Sequence, residues 1–202
     1  MTTAPMTSTA PKQLLVVDDD RLVLAMIASG LTAAGYAVTT AESAEDAEAL
    51  LSGGNRPDLA ILDVRMPGQG GLYLAQRLRE LDHIPFMMLS AYNEPGMVEQ
   101  ATQSGALGYA IKPIDLAQLV PAIETALARA HEIHDLRVTR QHLQTALDNE
   151  RDISIAVGIT MVQQGLNRID AFESLRKSAR SRRCKLAALA SEIIQAGHKV
   201  NR

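Results

Sequence analysis

Asp58-Leu59-Ala60-Ile61-Leu62-Asp63-Val64-Arg65-Met66-Pro67 carries the clearest structural signal in the chain. Four apolar residues, Leu59 to Leu62, run straight into Asp63. An unbroken apolar run this short suits a strand buried on both faces of a parallel sheet, rather than an alternating half-exposed strand. Asp63 then falls at the carboxyl end of the strand, where open α/β sheets bind ligands. Asp is also a common turn residue, so taken alone Asp63 reads equally well as a cap of the following turn.

Working outward, the same pattern recurs. Gln13 to Val17 is an apolar strand ending in Asp18-Asp19-Asp20, followed by a helical pattern of Leu22, Met26, Ile27 and Leu31 that Gly35 closes. Residues 36–40 read as a second strand. Ser43 caps the next helix, whose early acids Glu45 and Asp46 suit its positive end and which Gly53-Gly54 stops. The Asp63 strand is third, with a helix from about Gly71 to Leu81 after it. Residues 85–90 form a fourth strand ending at Ser90, Glu94 to Gln103 a short helix, and residues 108–112 a fifth strand ending at Lys112-Pro113. Asp115 caps the last helix. Strands alternating with helices imply right-handed crossovers, hence an α/β, doubly wound, five-stranded parallel sheet of flavodoxin-like type.

The strand ends that meet at one edge carry Asp18, Asp19, Asp63, Ser90 and Lys112. Converging carboxylates repel one another unless a cation joins them, and Mg²⁺, a hard cation that retains waters and takes phosphate oxygens, fits best. Lys112 is a point charge for an anionic group, and the Ser90 hydroxyl a donor to it. Such a crevice supplies the positioning and charge neutralisation that phosphoryl transfer needs, with Asp63 as carboxylate nucleophile.

On Val16-Val17-Asp18-Asp19, Asp63 to Pro67, Ser90-Ala91 and Lys112-Pro113, residues 12–131 closely resemble the receiver domain of two-component response regulators. The resemblance implies Asp63 as phosphoacceptor, Mg²⁺ held by Asp18, Asp19, Asp63 and the Arg65 backbone carbonyl, and Ser90 and Tyr109 as switch residues. It implies Lys112 paired with phosphoryl oxygens, and a sensor histidine kinase or other phosphodonor as partner. Beyond catalysing its own phosphorylation and dephosphorylation, the chain is not expected to be an enzyme.

The 202 residues carry a net charge of −3 that conceals an asymmetry. Residues 1–150 hold 10 Lys and Arg against 19 Asp and Glu, giving −9, whereas residues 151–202 hold 10 against 4, giving +6. An acidic front and a basic tail suggest two modules, the tail suited to a polyanion. The hydrophobic share of 47% allows a real core, and no apolar run is long enough to span a membrane. The start of the chain has no apolar signal region and residues 1–11 read as a flexible tail. With Cys184 as its only cysteine, a cytoplasmic location is expected.

Residues 132–150 are expected to be a helical connector. Ile133, Leu136, Arg140, Leu143 and Leu147 follow the 3-4-3-4 spacing of a coiled-coil seam, short and interrupted by Arg140, so a dimer contact is preferred over packing within the chain. His131, His134 and His142 are scattered along this stretch, and His131 and His142 share no helical face, so solvated positions are expected rather than a metal site. Residues 151–198 fit three helices, with residues 199–202 as a tail. The first holds Ile153, Ile155, Ala156, Ile159, Met161 and Val162 and ends near Gly165, with Ala156 and Gly158 allowing close helix approach. The second has Asp170 as cap and Ala171, Phe172, Leu175 and Ala179 inward. The third starts near Arg183, packs Leu186, Leu189, Ala190, Ile193 and Ile194, and stops at Gly197. Arg176, Lys177, Arg180, Arg182, Arg183 and Lys185 form a basic cluster suited to phosphates and unpaired bases. Phe172 is the only aromatic of the tail, which excludes an aromatic stacking platform.

On Ala156 to Met161, Ala171 to Arg176, Ala179, Lys185-Leu186 and Ala190, residues 140–195 resemble the ANTAR output domain of transcription antitermination regulators. The resemblance implies binding of RNA hairpins in leader transcripts, as a homodimer promoted by receiver phosphorylation. Val157 stands where that family commonly has Lys. The alternative expectation is a tail that binds DNA or another protein; a helix-turn-helix reader would need a second basic helix beyond the third.

Overall fold

The computed structural model describes residues 10–91, 99 and 103–200. Among them the chain forms two compact units that divide between Ile133 and His134. The first unit holds a five-stranded parallel sheet: β1 (Gln13–Val17), β2 (Ala37–Ala41), β3 (Leu59–Asp63), β4 (Phe86–Ala91) and β5 (Tyr109–Lys112), in the order β2-β1-β3-β4-β5. Its helices are α1 (Arg21–Ala33), α2 (Ala44–Ser52), α3 (Gly70–Arg77) and the start of α4 (Leu116–Gln164).

The unbroken apolar runs of β1 and β3 follow from this layering. Side chains alternate across a strand, so successive residues serve opposite faces. Leu15, Val17, Ala60 and Leu62 join Ala44, Ala47 and Leu51 of α2 and Leu74 and Ala75 of α3 in one core. Leu14, Val16, Leu59 and Ile61 join Leu24, Ile27 and Leu31 of α1 and Leu119, Ile123 and Ala126 of α4 in the other. Both faces of these strands are covered by helices, and residues 14–17 and 59–62 are all buried. Tyr36 bridges across the second core to Glu124, donating its hydroxyl proton; burial together with that carboxylate pushes the phenol up to about 12.

Several boundaries differ from expectation. α1 buries Leu24, Ile27 and Leu31, while Leu22 is 82% exposed and Met26 46%. The helix is apolar on most of its circumference, and its phase is set by the Asp20 cap, whose carboxylate accepts from the Leu22 and Val23 amides at 2.8 and 3.3 Å. α3 ends at Arg77 and passes into a π-type turn, Leu78–Asp82, closed by left-handed His83. The helix expected over residues 94–103 lies, apart from residues 99 and 103, outside the described residues. Ser43 and Asp115 cap α2 and α4 as expected, through bonds to the amides of Asp46 and Ala117.

α4 runs through both units without a break for 49 residues, so neither end of the expected connector is marked by a change in secondary structure. It ends at Gln164, where Gly165 turns left-handed at φ +64°. α5 (Arg168–Ser181) and α6 (Leu186–Val200) complete the second unit. The cap of α5 is Asn167 rather than Asp170: the Asn167 side-chain oxygen accepts from the Asp170 amide at 3.0 Å, while its amide group donates to the Asp170 carboxylate. α6 starts later than expected and continues through Gly197. The core is made of Ala156, Val157, Ala171, Leu175, Ala179, Leu189 and Ala190. Small side chains bring these helices close, which pushes larger ones to the margin. Phe172, expected inside, is 37% exposed, and Ile155 and Val162 lie outside as well. Gly158 faces open space and mediates no approach.

Candidate functional site

Strand order reverses between β1 and β3, and a crevice opens outside their carboxyl ends at such a reversal. The register then sets who meets whom. Val17 pairs with Leu62, so Asp18 comes level with Asp63; Asp63 pairs with Leu89, so Ser90 stands one residue further out. Ala110 is level with Leu89, and Lys112 lies two residues beyond it on the same face of β5. Its long stem reaches back: the Lys112 Nζ lies 2.6 Å from Asp18 Oδ2 and 3.2 Å from Asp63 Oδ2. The other Asp18 oxygen accepts from the Asp20 amide at 3.0 Å, which fixes the carboxylate.

Asp18, Asp19 and Asp63 each offer a carboxylate oxygen, and these lie within 4.8 Å of one another. Asp18 and Asp63 are buried while Asp19 is exposed, so the cluster opens to solvent on one side. Such an all-oxygen set fits a hard divalent cation, which would sit between the carboxylates and complete its shell with water. Opposing influences act on Asp63. Burial pushes its carboxyl above the ordinary range; Lys112 pulls it back, and the charges of Asp18 and Asp19 push it up again. Burial alone would lower the Lys112 ammonium, but its hydrogen bond to Asp18 and the charges of Asp63 and Asp18 outweigh that and raise it.

The remaining expected residues take supporting places. Ser90 is buried at the end of β4. Tyr109 opens β5 and packs half-buried against the α2–α3 core. Arg65 is exposed in the turn two residues past Asp63. The Lys112–Pro113 peptide bond is cis. Sequence reasoning missed Gly71. A Cβ there would lie 1.8 Å from the Asp63 carbonyl oxygen, and the Gly71 amide donates to the Val64 carbonyl at 3.3 Å. α3 therefore packs directly on the backbone that carries Asp63. The Gly70-Gly71 pair was the available signal.

In the second unit all six cations of the basic cluster are exposed. Two are engaged locally: Arg176 with Glu173 at 3.3 Å and Arg182 with Glu192 at 2.6 Å. Lys177, Arg180, Arg183 and Lys185 make no side-chain ion pair or hydrogen bond among the described residues. Val157, at the position the resemblance singled out, is buried in the core. Cys184 is a free, half-buried thiol.

A doubly wound sheet with an acidic cluster and a lysine at its switch point defines a receiver. The family model for the response regulator receiver domain matches residues 14–124, and that for the ANTAR domain matches residues 141–194. The chain belongs to the two-component response regulators, as a receiver domain followed by an ANTAR domain. It is 30% identical over 186 residues to the transcriptional regulatory protein PdtaR of Mycobacterium tuberculosis, spanning 92% of this chain and 90% of that protein. Similarity to the transcriptional regulatory protein AfsQ1 of Streptomyces coelicolor is 40% over 119 residues, covering 59% of this chain and 52% of AfsQ1. Among solved structures, the N-terminal domain of a response regulator/sensory box/GGDEF three-domain protein from Carboxydothermus hydrogenoformans superposes with a TM-score of 0.55 at 32% identity. That match covers 61% of this chain and 98% of the other. Among the described residues no helix is long and apolar enough to cross a membrane.

Proposed function

We propose that the chain is a phosphorylation-controlled RNA-binding antiterminator. Asp63 takes the phosphoryl group from a sensor histidine kinase or another phosphodonor, and the ANTAR domain binds RNA hairpins in leader transcripts. The observation that carries the first half is the convergence of Asp18, Asp19 and Asp63 within 4.8 Å, with Lys112 against two of them. Mg²⁺ would be held by these carboxylates and the Arg65 carbonyl, supplying charge neutralisation for an incoming phosphoryl group. The Asp63 oxygen attacks phosphorus, and the bond from phosphorus to the donor's leaving group breaks as the new one forms. Lys112 then has phosphoryl oxygens to pair with in place of a bare carboxylate, Ser90 donates to them, and Tyr109 follows the rearrangement. The chain performs no chemistry beyond this phosphorylation and its reversal.

The second half rests on the exposed cations of α5 and of the turn after it. Dimerisation through α4 fits the connector: Leu136, Leu143 and Leu147 are each more than 60% exposed along one helical row, with Ile133 at its start. Such a row gains when a second copy covers it. The protein would work in the cytoplasm, where Cys184 stays reduced. Incubation with an acyl phosphate and Mg²⁺, followed by gel filtration and RNA titration, tests the scheme. A labelled dimer with raised affinity is expected; labelling of Asp63→Ala to the wild-type level would overturn it.

A further inference from the structure

Two residues other than glycine hold a left-handed backbone among the described residues, His83 at φ 54° and Arg183 at φ 52°. Arg183 follows the end of α5. Its amide donates to the Arg180 carbonyl at 3.1 Å, and the Cys184 amide to the Ala179 carbonyl at 3.0 Å. That pair of bonds is a Schellman stop, whose left-handed position normally belongs to glycine. The chain does use glycine after its other long helices, at Gly35, Gly54 and Gly165. A Cβ in this region presses on the following carbonyl, so any side chain there destabilises the stop. His83 recovers part of this locally, since its Nδ1 lies 3.0 Å from the Arg79 carbonyl oxygen. Arg183 has no such compensation: its side chain is exposed and makes no ion pair or hydrogen bond among the described residues.

Two neighbours share its exposure. Arg180, also unpaired, lies in the last turn of α5, where the helix end favours a cation, whereas Lys185, also unpaired, shares the turn with Arg183. Lys185 immediately precedes α6, the end of a helix that disfavours a cation, and the first turn of α6 holds no acid to offset it. Arg182 alone is engaged, tying the turn to Glu192 of α6 at 2.6 Å. The left-handed Arg183 and the cation ahead of α6 both oppose stability, and such choices clustered at one place mark function. An anionic backbone offsets the gathered positive charge, and a guanidinium can fork onto its phosphate oxygens.

We infer that Arg183 is an affinity-determining phosphate contact for RNA, held in a left-handed backbone so that the last turn of α5 and the turn after it offer Arg180, Arg183 and Lys185 as one phosphate-binding unit. This rests on the RNA-binding reading above. The test uses the full chain as wild type, Arg183→Gly and Arg183→Lys, with a labelled stem–loop RNA and a duplex DNA as probes. Arg183→Gly raises the thermal unfolding midpoint of the helical unit by roughly 5 °C, because glycine adopts the turn without strain. The same variant binds the stem–loop about tenfold more weakly and loses roughly one from the slope of log affinity against log salt. Arg183→Lys keeps that slope. Wild-type affinity and slope in Arg183→Gly would overturn the inference and leave the RNA reading standing, as would a lowered midpoint with unchanged binding. If the wild type shows no salt-dependent RNA binding, or prefers the duplex DNA, both fall together.

Discussion

In the receiver, Lys112 stands between two buried carboxylates, while in the ANTAR domain Lys177, Arg180, Arg183 and Lys185 stand in water with no partner among the described residues. Charge buried in a pocket is expensive to desolvate, and each member depends on the others being present. Charge on a surface is cheap to keep, acts additively and is screened by salt. Chemistry at a fixed phosphorus needs the first arrangement, and recognition of a long polyanion needs the second. Changes in the pocket should therefore be large and mutually dependent, and changes in the cluster small and graded.

Lys112→Met should give the largest effect. It leaves Asp18 and Asp63 facing each other out of water, and removal of one member of a buried charge group destabilises by about 3–5 kcal/mol. Urea denaturation with a chelator present measures it, and unchanged stability would erase the contrast between the two regions. The Lys112 ammonium is raised in the folded state, so its contribution is complete at neutral pH and is lost as pH climbs through the raised value. Gly71→Ala comes next: the added methyl meets the Asp63 carbonyl, and overpacking of this kind costs about 1–3 kcal/mol. Phosphoryl labelling should slow with it, because the nucleophile's own backbone moves.

Asp63→Asn should act in the opposite direction and more weakly. The raised Asp63 carboxyl means that the folded protein holds its proton more tightly than the unfolded chain does. Stability therefore falls as pH rises from the ordinary carboxylate range through the raised value. The asparagine variant, freed of metal, should be more stable than wild type at neutral pH and equal to it in acid. Thermal melts across pH check this, and a gain that persists in acid would contradict the assignment. Arg180→Ala should be mildest: a several-fold, sequence-independent loss of RNA affinity, with a salt slope lower by about one. A loss of a thousandfold would mean that the cluster behaves like the pocket.

The receiver's fold and pocket were legible because strong signals agree. Apolar runs of strand length ended in Asp18, Asp63, Ser90 and Lys112, and a parallel sheet leaves those ends only one edge on which to meet. What escaped was phase and packing. α1 carries two apolar stripes of helical spacing, Leu22/Met26 and Leu24/Ile27/Leu31, and periodicity cannot choose between them. Phe172 looked like core because it is large and apolar, yet it is 37% exposed and the core is filled by alanines at 156, 171, 179 and 190 with Val157, Leu175 and Leu189. Gly197 looked like a stop, but α6 continues past it to Val200. The left-handed Arg183 could not be read at all, because such a helix stop is signalled by glycine or asparagine and neither stands there.

The central claim is that phosphate on Asp63 is read out on RNA. A stem–loop RNA is titrated with wild type and Asp63→Ala, each with and without an acyl phosphate plus Mg²⁺. The account predicts a phosphodonor-dependent gain in affinity for wild type and none for Asp63→Ala. An equal gain in Asp63→Ala would contradict it.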